Sequence, residues 1–264
     1  MDNGILLTIV GFLVIFVATS LGASMVFFFN SVFSGRVNAL MLGFAAGVMT
    51  AASVWSLLIP SIESVNDTFG VWSWVPAVLG FIVGGLFLML LDHVIPHIHF
   101  GTEQEEGPKT HLHKSIKMFL AVTIHNIPEG LAVGFAFGAA SIDGSASAYA
   151  AALGLSVGIA IQNLPEGAAV SLPMSQVVRS RSKAFLFGVG SGIVEPIAAL
   201  LGFMLASQLI ALQPWLLAFA AGAMIFVVAE DLIPDAKMEE NPHLGTWGFM
   251  AGFAVMMVLD VALG

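Results

Sequence analysis

Two short stretches of this 264-residue chain share a polar core, N-x-P-E-G, within otherwise apolar sequence. In the first, HNIPEG, His125 and Glu129 are four residues apart, so both project from one face of a helix. The second, QNLPEG, repeats that arrangement with Gln162 and Glu166. A buried carboxylate without a partner is costly, and it either binds a proton or finds a cation. We therefore interpret the two motifs as the halves of one cation site.

Each motif also contains a proline, Pro128 or Pro165. A proline removes one backbone hydrogen bond from its helix and kinks it, which leaves the carbonyl groups of Ile124 and Ile161 without their usual donors. Inside a helix bundle such carbonyls are additional oxygen ligands or water sites. Gly130 directly follows the first motif glutamate and favours close helix packing.

The composition predicts that these polar groups lie in a membrane. Hydrophobic residues make up 58% of the chain and charged residues only 9%, whereas soluble domains carry about a quarter charged residues. A spanning helix needs about 20 apolar residues. Eight segments qualify, near residues 5–29, 37–60, 71–95, 115–140, 147–173, 183–208, 213–234 and 244–263.

The predicted fold class is an all-α polytopic membrane protein with a single transporter domain, residues 1–264. Helices 1–3 occupy 1–99, a His-rich and acidic loop occupies 100–114, the central motif helices occupy 115–174, and helices 6–8 occupy 182–264. Cysteine is absent, so any metal must be held by oxygen, imidazole or thioether groups. The net charge of −9 disfavours nucleic acid as a partner.

The basic residues predict the orientation of the chain. All eight lie at the loops or segment edges 1–2, 3–4, 5–6 and 7–8: Arg36, Lys109, Lys114, Lys117, Arg179, Arg181, Lys183 and Lys237. Because cytoplasmic loops carry the excess of lysine and arginine, both termini are predicted to lie outside the cytoplasm.

Several polar side chains share a depth near the predicted middle of the bilayer. They are His125, Asn126 and Glu129 in the fourth segment, Gln162, Asn163 and Glu166 in the fifth, Glu195 in the sixth, and Met49 in the second. No lysine or arginine is predicted at that depth to neutralise the three carboxylates. Ionisable residues inside spans indicate a functional site. Met49 is the weakest of these candidate ligands, because methionine usually fills space.

The repeated motif also predicts symmetry. Consecutive spans run in opposite directions, yet the fourth and fifth carry the same motif at about the same depth. The operation relating them is a two-fold axis in the membrane plane, which is typical of inverted-repeat transporters. Three spans precede this pair and three follow it, so we predict a 3+2+3 arrangement.

Two further groups of polar residues lie towards the membrane surfaces. A possible relay for metal on the cytoplasmic side consists of His93, His97, His99, Glu230 and Asp231, and a possible outer entrance consists of Glu63 and Asp260. The alternative for the first group is a solvated linker, and for the second a plain interfacial position.

With these residues in view, the chain resembles the ZIP family of divalent-metal transporters, most closely its small prokaryotic branch. The similarity covers HNIPEG and QNLPEG, and also AAGVMTAASVWSLLIP, LDHVIPHIH, SGIVEP, AEDLIPDA and VMMVLDVALG. The resemblance implies passage of Zn²⁺, or of Cd²⁺, Fe²⁺ or Mn²⁺, into the cytoplasm. It also implies a homodimer and an elevator-like movement. The compact length and minimal loops of the chain favour a prokaryotic cell membrane as its location.

The resemblance further implies a binuclear site between the fourth and fifth helices. One metal would be held by His125, Glu129, Gln162 and Glu166 with Met49 approaching, and a second by Asn126, Glu129, Asn163, Glu166 and Glu195. Two residues depart from the family pattern. Gln162 stands where many members have histidine, and Asn163 where some have aspartate, which leaves metal preference open.

Two other functions remain as alternatives at this stage. An intramembrane zinc hydrolase would need a richer set of deep histidines or an H-E-x-x-H motif, and neither occurs. A proton- or sodium-coupled carrier of another substrate would use the glutamates as proton relays, but no basic or aromatic recognition group accompanies the motifs. The sequence therefore favours a metal-ion transporter that is not an enzyme.

Overall fold

A computed structural model describes residues 3–29, 34–98, 105–236 and 242–263. Its α-helices are α1 (Asn3–Ser24), α2 (Gly35–Ala52), α3 (Ile59–Glu63), α4 (Asn66–Phe69), α5 (Trp74–Val94), α6 (Lys114–Asp143), α7 (Ala146–Val178), α8 (Arg181–Gly192), α9 (Val194–Gln208), α10 (Gln213–Val227), α11 (Ile233–Asp235) and α12 (Pro242–Leu263). Two short strands, β1 (His97–Ile98) and β2 (Glu105–Glu106), pair antiparallel.

These helices combine into eight stretches that are long and apolar enough to cross a membrane. We number them span 1 (Asn3–Phe27), span 2 (Gly35–Glu63), span 3 (Trp74–Val94), span 4 (Lys114–Asp143), span 5 (Ala146–Val178), span 6 (Arg181–Gln208), span 7 (Ile210–Asp235) and span 8 (His243–Ala262). The predicted all-α polytopic fold is confirmed. Spans 4 and 5 extend beyond their predicted ends, to Asp143 and Val178.

Proline affects the spans in two different ways. The helices of spans 4 and 5 continue through Pro128 and Pro165 without a break. Spans 2 and 7 instead contain π-helical turns, Ser53–Leu58 and Val228–Leu232, and each turn is followed by a helix that begins with a proline in its first turn. Since a proline cannot donate to the carbonyl one turn earlier, wider π turns at these points accommodate the missing bond.

The motif glycines bring neighbouring spans into backbone contact. A Cβ atom on Gly130 would lie 2.4 Å from the carbonyl oxygen of Glu195, which joins span 4 to span 6. A Cβ atom on Gly167 would lie 2.0 Å from the carbonyl oxygen of Thr19, which joins span 5 to span 1. Close approach of this kind is how membrane helices pack without a hydrophobic driving force, and it places the motif glutamates beside spans 1 and 6.

The other four spans pair in the same manner. Span 2 packs along span 8, and span 3 packs along span 7. A Cβ atom on Gly47 would lie 2.1 Å from the carbonyl oxygen of Phe249, and one on Gly222 would lie 1.9 Å from that of Phe81. The chain thus contains two sets of closely packed spans, 1 with 5 and 4 with 6 in the first, and 2 with 8 and 3 with 7 in the second.

These pairings map onto one another when span 1 is exchanged with span 6, span 2 with span 7, span 3 with span 8, and span 4 with span 5. The 1–5 contact becomes the 6–4 contact, and the 2–8 contact becomes the 7–3 contact. That exchange is the one that a 3+2+3 inverted repeat requires. The 3+2+3 arrangement and the side of the membrane on which the termini lie stay predictions.

Candidate metal centre

Glu195 is the most heavily hydrogen-bonded carboxylate of the central cluster. It lies in the first turn of α9 and is fully buried. The Thr19 hydroxyl donates to its Oε1 at 2.6 Å, the Asn126 amide donates to the same oxygen at 3.2 Å, and the Asn163 amide donates to Oε2 at 3.0 Å. Four spans, 1, 4, 5 and 6, therefore meet at one carboxyl group.

The two motifs contact each other directly through Glu129 and Gln162. Both side chains are fully buried, and the Gln162 amide donates to Glu129 Oε1. Glu166 and Glu195 lie close enough to Glu129 to interact with it electrostatically. The structure thus brings together the three carboxylates that sequence analysis selected.

Four oxygen atoms in this cluster are buried and accept no hydrogen bond from the described residues. They are Asn126 Oδ1, Glu129 Oε2, Gln162 Oε1 and Glu166 Oε2. Two belong to carboxylates and two to amides, and all four are acceptors rather than donors. Buried acceptors normally have a partner, and a cation that binds several oxygens at once would satisfy this set.

The carboxylates are nevertheless not gathered into a closed ligand set. Within the described parts of the chain, no three histidine, aspartate or glutamate side chains lie close enough together to hold a metal ion. The amides of Asn126, Gln162 and Asn163 lie between the carboxylates and are bonded to them. Binding a metal with several carboxylates would require these amides to turn away.

His125 contacts Asp231, which we predicted as part of the relay and not of the central cluster. Its Nε2 lies 3.0 Å from Asp231 Oδ2, with the imidazole 12% exposed and the aspartate side chain 3% exposed. His125 also interacts electrostatically with Glu166. We predicted Asp231 as part of the cytoplasmic-side relay; the structure places it against the motif histidine, in the π-helical turn of span 7.

Further residues near the predicted cytoplasmic edge surround a cavity of about 490 Å³. Asp92, His93 and Glu230 line it together with Gly107, which follows β2. His97 is fully buried beside this group, with Nε2 3.5 Å from Asp92 Oδ1. Its Nδ1 lies 2.8 Å from the Ile95 carbonyl. His99, the remaining member of the predicted relay, lies outside the described residues.

The structure places the predicted outer residues, Asp260 and Glu63, and the candidate ligand Met49 at three different points. The Ser56 hydroxyl, in the π-helical turn of span 2, donates to Asp260 of span 8. Glu63 is exposed at the end of span 2. Met49 is fully buried just before the π-helical turn, and its approach to the central cluster stays a prediction.

Sequence analysis missed two residues of the cluster. Thr19 donates to Glu195 from span 1, and the Ser191 carbonyl accepts a hydrogen bond from the Asn126 amide at 2.9 Å. Thr19 is a polar residue in an apolar segment, but a threonine hydroxyl can be satisfied by its own helix, and Thr19 also bonds the Ile15 carbonyl. A backbone carbonyl such as that of Ser191 has no signal in the side-chain sequence.

The fold and the cluster together define a polytopic membrane protein built around buried carboxylate and amide groups. A family model described as the ZIP zinc transporter matches residues 102–260. Zinc transporter ZIP11 of Xenopus tropicalis is 39% identical, with 98% of each chain covered. Zinc transporter ZIPB of Bordetella bronchiseptica is 38% identical over 94% of this chain and 79% of its own length.

A third relative, zinc transporter ZupT of Stenotrophomonas maltophilia, is 31% identical over 91% of this chain and 90% of its own. The chain belongs to the ZIP family of zinc transporters. This membership confirms the resemblance and places the chain among membrane transporters of divalent metal ions rather than enzymes. Since the relatives include vertebrate and bacterial proteins, the prokaryotic origin stays a prediction.

Proposed function

We propose that the chain carries Zn²⁺ across the membrane into the cytoplasm through the cluster between spans 4 and 5. The observation that carries this proposal is the set of four buried acceptor oxygens on the two facing motifs, which have no hydrogen-bond partner among the described residues. In a member of this family, buried acceptor oxygens on the two motifs favour a cation as the transported species. Imidazole with carboxylates favours Zn²⁺ and also accommodates Cd²⁺, Fe²⁺ or Mn²⁺.

Within this proposal the first ion binds to His125, Glu129, Gln162 and Glu166, with Met49 approaching. Glu129, Gln162 and Glu166 each have a buried oxygen that accepts no hydrogen bond from the described residues. Gln162 donates to Glu129 through its nitrogen, while its oxygen accepts no hydrogen bond from the described residues. A rotation of that amide would release Glu129 and offer the ion an oxygen ligand.

The second ion of a binuclear site would use Asn126, Glu129, Asn163, Glu166 and Glu195. Here the hydrogen bonds from Thr19, Asn126 and Asn163 already satisfy Glu195. The ion would have to replace two amide donors, so we propose that the second position binds its ion more weakly. Glu129 and Glu166 would bridge the two ions.

The proposed route enters beside Asp260 and leaves through Asp231. Asp260 Oδ2 accepts no hydrogen bond from the described residues and is buried between spans 2 and 8. On the other side, Asp231 contacts His125, and Asp92, His93 and Glu230 line the neighbouring cavity. Carboxylates in series offer a cation successive partners of moderate affinity, which conduction requires.

The deciding test is Zn²⁺ uptake into proteoliposomes that contain a Zn²⁺-sensitive dye. We expect Glu129→Ala to lose uptake by at least about tenfold, since removing a ligand carboxylate costs several kcal/mol of binding. His125→Ala should lose less. Asp143→Asn is the matched control because Asp143 is exposed at the end of span 4. Wild-type uptake by Glu129→Ala would reject the site.

The same vesicles test the choice of metal and the direction. Competition with Cd²⁺, Fe²⁺ and Mn²⁺ ranks the cargoes, and a reversed gradient tests outward flux. If the wild-type protein produced no uptake of any of the four metals, the proposed function itself would be wrong.

A further inference from the structure

Lys117 differs from every other lysine and arginine in the described parts of the chain. It is 3% exposed, whereas Arg36, Lys109, Lys114, Arg179, Arg181 and Lys183 are all exposed. Its ammonium group lies 2.7 Å from the Glu105 carboxylate, whose side chain is 57% exposed. The buried ammonium group of Lys117 is therefore neutralised by a half-exposed carboxylate in the hairpin formed by β1 and β2.

Neither the stability of α6 nor the orientation of span 4 in the membrane accounts for the burial of Lys117. Lys117 lies in the first turn of α6, where the positive end of the helix dipole disfavours a cation. A lysine that orients a span extends its ammonium group towards water or lipid phosphate, as the exposed Lys114 can. A buried lysine instead depends on a counter-charge, which among the described residues Glu105 supplies.

The hairpin places that counter-charge beside the proposed exit of the metal. Glu105 pairs with Ile98, and Glu106 pairs with His97. His97 and Ile98 are buried, with His97 beside Asp92. Strand β1 also packs against α6. The ion pair therefore lies where the ends of spans 3 and 4 meet.

Lys117 is also close to the metal site along its own helix. It precedes His125 by eight residues, which is about 12 Å along the axis and about 80° around it. A cation that leaves His125 and Asp231 towards the cytoplasm therefore passes a lysine on the adjoining part of the helix surface. At that distance an uncompensated charge changes the energy of a divalent ion appreciably.

We infer that Glu105 neutralises Lys117 beside the proposed cytoplasmic exit, so that a divalent cation leaving His125 towards Asp231 passes no uncompensated lysine. This inference rests on the proposed function. Glu105 acts through Lys117 and is a positioning residue rather than a metal ligand. Because Glu105 is half-exposed and Lys117 is buried, loss of the two partners has unequal consequences.

The test compares single and double variants in the uptake assay. Glu105→Gln leaves a buried lysine without a counter-charge and should lower the Zn²⁺ uptake rate roughly three- to tenfold. Lys117→Met leaves a carboxylate that water can solvate and should keep at least the wild-type rate. Combining the two should restore the rate that Glu105→Gln loses, and Glu105→Asp should retain most of it.

A merely structural clamp predicts a different pattern. Either single variant would then break the clamp, both would lower uptake alike, and the double variant would not recover; this result would overturn the inference. Lys109→Gln is the matched control, since Lys109 is exposed in the same loop. A thermal unfolding midpoint for each variant shows that it is folded, and the swap Glu105→Lys with Lys117→Glu replaces the double variant if that one is unstable.

The same experiment separates this inference from the proposed function. If wild type transports, Glu129→Ala does not, and Glu105→Gln matches wild type, then the inference is wrong and the proposed function stands. If wild type itself produces no uptake, the proposed function fails, and this inference fails with it.

Discussion

At the scale of single residues, the central cluster includes one hydrogen-bond donor, Thr19, that belongs to neither motif. Thr19 donates to Glu195 from span 1, which has no other role in the proposed site. A neutral donor to a carboxylate stabilises the ionised form, and such a bond contributes about 1.5–3 kcal/mol. Thr19 therefore supports the ionised carboxylate that the proposed second ion position would need from Glu195.

Replacing that hydroxyl by a methyl group should weaken the second ion position. We expect Thr19→Val to raise the Zn²⁺ concentration for half-maximal uptake by roughly tenfold, since the isosteric change removes one charge-assisted bond. Thr19→Ser retains the hydroxyl and is the matched control. A half-saturation value for Thr19→Val that equals that of Thr19→Ser would show that the hydroxyl has no part in binding.

At the scale of helices, glycines determine how closely the paired spans approach each other. Gly167 follows the motif glutamate of span 5 and touches the backbone of span 1 at Thr19. Adding one methyl group there forces the two helices apart, and overpacking of this kind costs about 1–3 kcal/mol. The same shift would move Thr19 away from Glu195.

Gly167→Ala should therefore lower both stability and uptake. We expect its unfolding midpoint in detergent to fall by several degrees, since a few kcal/mol shift the midpoint of a chain of this size by roughly that amount. Gly190→Ala is the control, because a Cβ atom there would meet only the Phe119 ring at 3.6 Å, an ordinary contact. Equal midpoints for the two variants would contradict the packing argument.

The helices show how far the sequence predicts this protein. Length and apolarity identified all eight spans, and the repeated motif identified Glu129 and Glu166, because both signals lie in single segments. The contact between His125 and Asp231 was not predicted. Asp231 lies in a π-helical turn, and neither that turn nor the side of span 7 facing span 4 follows from apolarity. The β1–β2 hairpin was missed because its strands have two residues each.

At the scale of the whole molecule, the central polar cluster and the tryptophans lie in different sets of spans. Spans 1, 4, 5 and 6 carry the central carboxylates and their hydrogen-bond donors. Spans 2, 3, 7 and 8 carry four of the five tryptophans, Trp55, Trp74, Trp215 and Trp247, and the fifth, Trp72, lies two residues before span 3. Tryptophan favours the membrane interface, so this second set is suited to hold a constant depth while the first set moves. An elevator movement remains a proposal, and this division of residues is what supports it.

The topology of the whole chain can be tested directly because it contains no cysteine. Ser145, between spans 4 and 5, and Lys109, between spans 3 and 4, are both exposed and are separated by one span. A membrane-impermeant maleimide added to intact cells should label Ser145→Cys, since the distribution of basic residues puts that loop outside. Lys109→Cys should react only after the membrane is permeabilised. Labelling of both from the same side would break the alternation of spans on which the inverted repeat depends, and the reverse pattern would place the termini in the cytoplasm.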